Sequence, residues 1–174
     1  EEWGERWKIL PVDQFGTKEM VRSVVWKEKP DIIWLMTDPR FWGWLWEMDT
    51  EIRQNIPIVY YHVWDNYPYP KFNKKFYESN DVIVSISKLT NDIVKNVAPE
   101  VELHHIPHAV NLEVFKKLDD EIIDKLREEN KGPDGRSLAD RFVVLFNSRN
   151  ARRKHSGTLV FWFKEFLDKI GHEN

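Results

Sequence analysis

The chain has no cysteine among its 174 residues. That absence removes disulfides, thiolate nucleophiles and cysteine-ligated zinc together, and it fits a reducing compartment, so a cytoplasmic location is expected. Glycine is scarce at 7 residues. None forms a Gly-x-Gly-x-x-Gly fingerprint, a Walker-type lysine loop or a nucleophile elbow. An Asp-x-Asp pair, which would hold a divalent ion on a nucleotide, is missing too. No apolar run approaches the length of a membrane span, and no basic, apolar, small-residue leader opens the chain, so no transmembrane segment is expected. There is no internal repeat and no low-complexity segment.

What is present suits a core. Hydrophobic residues make up 41% and aromatics 14%, with 9 Trp, while the 32% of charged residues are interspersed. The net charge of -3 and a pI near 6.1 argue against general polyanion binding and against nucleic acid as the partner. Positive charge is instead local. Residues 142–154 read Phe-Val-Val-Leu-Phe-Asn-Ser-Arg-Asn-Ala-Arg-Arg-Lys. The apolar run 142–146 predicts a strand buried on both faces, and the apolar spacing of 155–170, stopped by Gly171, predicts a helix. Strand, basic turn and helix in that order place the cations where an open α/β sheet binds ligands, beside helix amides that favour an anion. Arg149, a planar fork, and Lys154, a movable point charge, are the candidate phosphate grips. The alternative is a solvated surface turn.

The rest of the chain alternates strand and helix. Residues 1–8 are charged with Trp3 and Trp7 interleaved, and Ile9 and Leu10 end a short strand. A helix is predicted over 17–29, closed by Pro30, then an apolar strand over 31–36. Asp38-Pro39 is a helix start, and the helix from 39 to about 55 carries Phe41, Trp42, Trp44, Leu45, Trp46, Met48 and Ile52. Such an apolar surface is core or, alternatively, a dimer contact. Further strands are predicted at 56–64, 81–87 and 101–106, with helices at 71–79, at 88–97 behind a Ser87 cap, and within 111–130. The pattern predicts a parallel, doubly wound Rossmann-like sheet with helices on both faces. The loop 131–136, Lys-Gly-Pro-Asp-Gly-Arg, reads as a domain boundary. The expected organisation is a Rossmann-like domain over 1–112, a linker helix and loop over 113–136, and the first strand-helix unit of a second such domain over 137–174.

His62, at the carboxyl end of the 56–64 strand, is the candidate reacting or substrate-orienting group, because a neutral imidazole there exchanges protons near neutral pH. The other reading is a packed histidine with both nitrogens satisfied. Asp65 follows it, while Ser87 and His108 end the next two strands as possible acceptor-side residues. His104, His105 and His108 do not read as a metal site, since adjacent strand residues point to opposite faces and no carboxylate has matching spacing.

Taken together, these segments resemble the GT-B fold glycosyltransferases, most closely family 4, also called group 1. The likeness is carried by Pro30-Asp31-Ile32-Ile33, by Ile58-Val59-Tyr60-Tyr61-His62, by Ser85-Ile86-Ser87-Lys88, by Ile106-Pro107-His108-Ala109-Val110-Asn111, and by Arg149-Asn150 with Arg153-Lys154 ahead of Phe163-Lys164-Glu165-Phe166. The chain departs from the family's pattern at Ala109, at Asn147 and Ser148, and at His155, where members often carry glycine. The resemblance implies transfer of a sugar from a nucleotide-diphosphate donor to the hydroxyl of an acceptor glycan, lipid or other compound, with retention and without a required metal or other cofactor. It assigns Arg149 and Lys154 to the donor diphosphate and His62 to the catalytic cleft. Two complete domains need roughly 300 residues or more, so the resemblance further implies missing sequence before Glu1 and after Asn174 and an inactive chain on its own. A non-catalytic α/β module, self-associating as a homodimer through its Trp-rich helix, is the alternative. A weaker one is single-stranded nucleic-acid binding by the cations and aromatics.

Overall fold

The computed structural model describes residues 7–171; Trp3 and the rest of 1–6 lie outside the described residues. Two compact units form, Glu1–Asn111 and Leu112–Asn174.

In the first unit, four strands, β1 (Ile33–Thr37), β2 (Ile58–His62), β3 (Val82–Ser85) and β4 (Glu102–His105), make one sheet in the order β1-β2-β3-β4, every pair parallel. The helices are α1 (Lys18–Glu28), α2 (Pro39–Trp46), α3 (Asp49–Ile52), α4 (Lys74–Glu78) and α5 (Lys88–Val97). Their starts follow local chemistry. Thr17 accepts from the Met20 amide at α1, Asp38 from the Arg40 amide at α2, and Ser87 from the Thr90 amide at α5. The α/β class with an all-parallel sheet is therefore the observed architecture. Ile9 and Leu10 form no strand.

The sheet register puts Leu35, Tyr60, Ile83 and Leu103 side by side on one face. The main core forms there, joining Leu35, Ile58, Tyr60 and Ile83 to Leu45, Trp46, Ile52, Tyr77, Ile93 and Val94, with Val21 and Val25 of α1 at its margin. Complete burial of Ile58, Ile83 and Ile93 contributes roughly 1.5–3 kcal/mol each. The opposite face carries a separate small cluster, Val59, Tyr61 and Val84 with Val82 and Ile86, to which no helical residue contributes among the described residues. This corrects the expectation of helices on both faces. Sequential strand order with crossovers of one hand returns every helix to the same side, so the unit is wound on one face. As an edge strand, β1 leaves Trp34 and Met36 exposed on the other.

The predicted helix 39–55 is two helices. Trp42 departs from helical geometry (φ -124, ψ 16), and the chain breaks between α2 and α3. Residues two apart on a straight helix point in nearly opposite directions. The break lets Trp46 and Met48 both enter the core, each 3% exposed.

The second unit holds α6 (Asp120–Glu129), 3₁₀ turns at Leu138–Asp140 and Arg152–Lys154, and α7 (Ser156–Ile170). Loop 131–136 is folded onto α6. Lys131 bridges Ser137, the Ser137 hydroxyl donates to Arg127 O (2.9 Å), and Arg127 Nη2 donates to Arg141 O (2.8 Å). The predicted strand 142–146 is a second correction: these residues form no ladder, and Phe142 and Leu145 are 91% and 85% exposed. A lone extended segment leaves its amides and carbonyls without sheet partners, and no strand of this unit stands beside it among the described residues.

Candidate functional site

His62 ends β2, and the structure packs it as the second of the two readings describes, with both nitrogens satisfied. Its ring is fully buried (0% exposed), with Nδ1 2.7 Å from Tyr60 Oη and Nε2 2.8 Å from Tyr77 Oη. The donors can be assigned in sequence. Tyr60 spends its only hydroxyl proton on Thr37 O (2.7 Å), so it must accept from His62 Nδ1–H. Nε2 is then an acceptor, and Tyr77 O–H donates to it while Tyr77 Oη receives Asn73 Nδ2–H (3.4 Å). The result is a directed chain, Asn73 to Tyr77 to His62 to Tyr60 to Thr37, with a neutral imidazole in one tautomer. Burial pushes the His62 pKa down to about 3, only partly offset by the Asp38 charge. Tyr77 is raised to about 12, first by burial. An imidazole held this way orders the strand end; it does not exchange protons with solvent near neutral pH.

The neighbouring candidates are more open. Asp38 is gripped by Arg40 through Nε (3.0 Å) and Nη2 (2.8 Å). Burial opposes its charge, yet these bonds and the Arg40 amide hold its carboxyl below the usual range. Asp65 is exposed on the loop after β2. Ser87 is committed locally. Thr90 donates its hydroxyl to Trp64 O (2.9 Å), so the Ser87 hydroxyl donates to Thr90 Oγ1 (2.9 Å) while it caps α5. His108 is exposed, with Nδ1 3.3 Å from Tyr61 Oη, and Tyr61 itself donates to Ile106 O (2.9 Å). Thus Ser87 lies past the end of β3 as the cap of α5, and His108 past the end of β4 as a surface group.

In the second unit, Arg149, Arg152, Arg153 and Lys154 are all exposed. Residues 152–154 make a 3₁₀ turn, with the Lys154 amide donating to Ala151 O (2.8 Å). His155 follows in the left-handed region (φ 54), a conformation that favours glycine. Helix α7 then starts without a side-chain cap, and the Ser156 hydroxyl donates to Asn150 Oδ1 (3.3 Å). Its 15 residues present free N-terminal amides beside the basic turn. Among the described residues no three or more His, Asp or Glu gather as a metal site, and no helix is long and apolar enough to cross a membrane.

Sequence reasoning did not find Tyr60, Tyr77 and Asn73 as partners of His62. Their only signal was the density of polar aromatics around β2. No family model matches the chain, and no curated protein or solved structure matches it significantly.

Proposed function

We propose that this chain is part of a glycosyltransferase that uses a nucleotide-diphosphate sugar, with the donor diphosphate held by the basic turn ahead of α7. One observation carries the reading: exposed Arg149 and Lys154 precede an uncapped helix start, and His155 takes the left-handed backbone at the position where the resembled family often has glycine. Guanidinium, ammonium and free amides together suit a leaving diphosphate, whose growing charge they stabilise more in the transition state than in the ground state. In this reading His62 acts through Tyr60 and Tyr77 on the shape of the β2 end and does not touch substrate. The test is calorimetry with a nucleoside diphosphate and the matching nucleoside. Arg149→Ala should weaken the diphosphate by about tenfold or more and leave the nucleoside unchanged. Equal losses for both ligands would count against the assignment.

A second reading, a non-catalytic self-associating module, is favoured by a different surface from the one expected. The Trp-rich helix is core: Trp46 is buried and donates Nε1–H to Asn80 Oδ1 (2.9 Å), and Trp42 and Trp44 are half-buried. Within the second unit, exposed apolar residues gather on 142–146 and on α7, at Val160, Phe161 and Trp162. Sedimentation separates the readings, because a strict monomer at high concentration removes the second.

A further inference from the structure

The loop that follows β2 and runs into the 3₁₀ turn Lys71–Asn73 presents aromatic rings outward in a fixed arrangement. Tyr67 is 56% exposed and Phe72 71%, with Tyr69 at 37%. Exposed rings of this size are ordinarily a loose feature of a surface; here the backbone beneath them is tied down. The Thr90 hydroxyl donates to Trp64 O (2.9 Å), Trp64 Nε1–H to Asn66 O (3.0 Å), the Lys71 amide to Tyr69 O (2.8 Å) and the Asn73 amide to Pro70 O (2.8 Å), while Pro70 is fully buried. Tyr67 and Tyr69 meet edge to face, centroids 5.3 Å apart, and both hydroxyls donate to one oxygen, Asp92 Oδ2, at 3.3 and 2.9 Å. Trp64 and Phe72 form a second edge-to-face pair at 5.9 Å. Ordering cost is therefore met in the free protein, as in a binding surface built from rigid aromatics.

The donor inventory selects the ligand. Both phenol protons are spent on Asp92, and Asp92 Oδ1 accepts from Asn96 Nδ2 (3.1 Å). What the Tyr67–Tyr69–Asp92 corner offers outward is phenol and carboxylate lone pairs beside negative ring faces. With both phenol protons committed, the corner has no hydroxyl donor left for a phosphate. A pyranose matches it, because its hydroxyls donate to oxygens while its slightly positive axial C–H groups pack on a ring face. The position also suits a ligand, being the carboxyl end of a parallel strand.

We propose that the Tyr67–Tyr69–Asp92 corner is a carbohydrate-binding site that stacks a pyranose ring and receives its hydroxyl protons. Only the role of that sugar as acceptor rests on the transferase reading; the binding stands without it. The experiment is saturation-transfer NMR on the whole chain with three probes, methyl α-D-glucoside, methyl α-D-mannoside and methyl β-D-galactoside. At least one should receive saturation on its ring C–H protons. Its affinity should fall about tenfold or more in Tyr67→Ala/Tyr69→Ala, and also in Asp92→Asn, whose rings remain in place. Circular dichroism and melting confirm that the variants fold. The proposal is overturned if no probe binds, if the variants bind as the wild type does, or if tetramethylammonium displaces the glycosides, which would mark a cation site. Nucleoside-diphosphate calorimetry keeps the two claims apart: Arg149→Ala losing diphosphate while retaining the glycoside leaves this site standing, and the aromatic variant should do the reverse.

Discussion

Replacing His62 by Phe separates the two effects that the buried hydrogen-bond chain combines. The phenyl ring fills most of the imidazole's space but accepts nothing, so the Tyr77 hydroxyl loses its partner in a site with no water access. A buried donor left unmatched costs about 1–3 kcal/mol, and the variant should be less stable by that amount at pH 7.5. Acidification acts only on the wild type at this position. Its folded-state pKa is about 3, well below the ordinary 6.5 of the unfolded chain, so unfolding takes up a proton between those values. The sign follows directly: the stability is complete above pH 6.5 and drains as pH falls toward 3, at about 1.4 kcal/mol per unit. By pH 5 the wild type has given up about 2 kcal/mol that His62→Phe does not lose. Urea unfolding followed by Trp fluorescence at pH 7.5, 6 and 5 should therefore show the two stabilities converging and crossing near pH 5. A constant gap across that range would refute the assignment of a neutral, buried imidazole.

Two further outcomes test the frame around the strand ends. Asp81 accepts Arg53 Nη2–H (3.0 Å) on one oxygen and the Ile58 amide (2.8 Å) on the other, so Asp81→Ala should cost about 2 kcal/mol in urea unfolding at pH 7. Burial opposes this carboxylate's charge, but the bonds hold its pKa below the ordinary 3.8, and the gap to wild type should close as pH falls below that value. Ser87→Ala removes both the α5 cap and the donor to Thr90 and should lower stability by about 1 kcal/mol, with faster amide exchange confined to the first turn of α5.

Much of the first unit is readable from local signals because those signals act locally. The Ser87 cap and the unbroken apolar runs of β2 and β3 each specify an element without help from distant residues. Where the reading departs from the structure, the deciding contact is non-local. Residues 142–146 have strand composition, but a strand exists only beside another strand, and their own unit holds none among the described residues. The break between α2 and α3 serves the packing of Trp46 against Phe76 and Tyr60, rings supplied from elsewhere in the chain. His62 sits at a strand end, which is where reactive side chains are sought; its burial is decided by Tyr77, fifteen residues on, and by its neighbour on the same face, Tyr60. The one-faced winding was hidden for the same reason, since strand order is not written in any single segment. The basic turn was legible as charge, whereas the left-handed backbone at His155 and the missing cap on α7 were not.

The most direct test of the proposed diphosphate site is backbone amide NMR of the chain titrated with a nucleoside diphosphate. Signals from Arg149 to Thr158, led by the amides of Gly157 and Thr158 at the start of α7, should shift together and saturate with one dissociation constant that rises with added salt. Shifts confined to α6 and the 131–141 loop, or none at any residue of the basic turn, would contradict it.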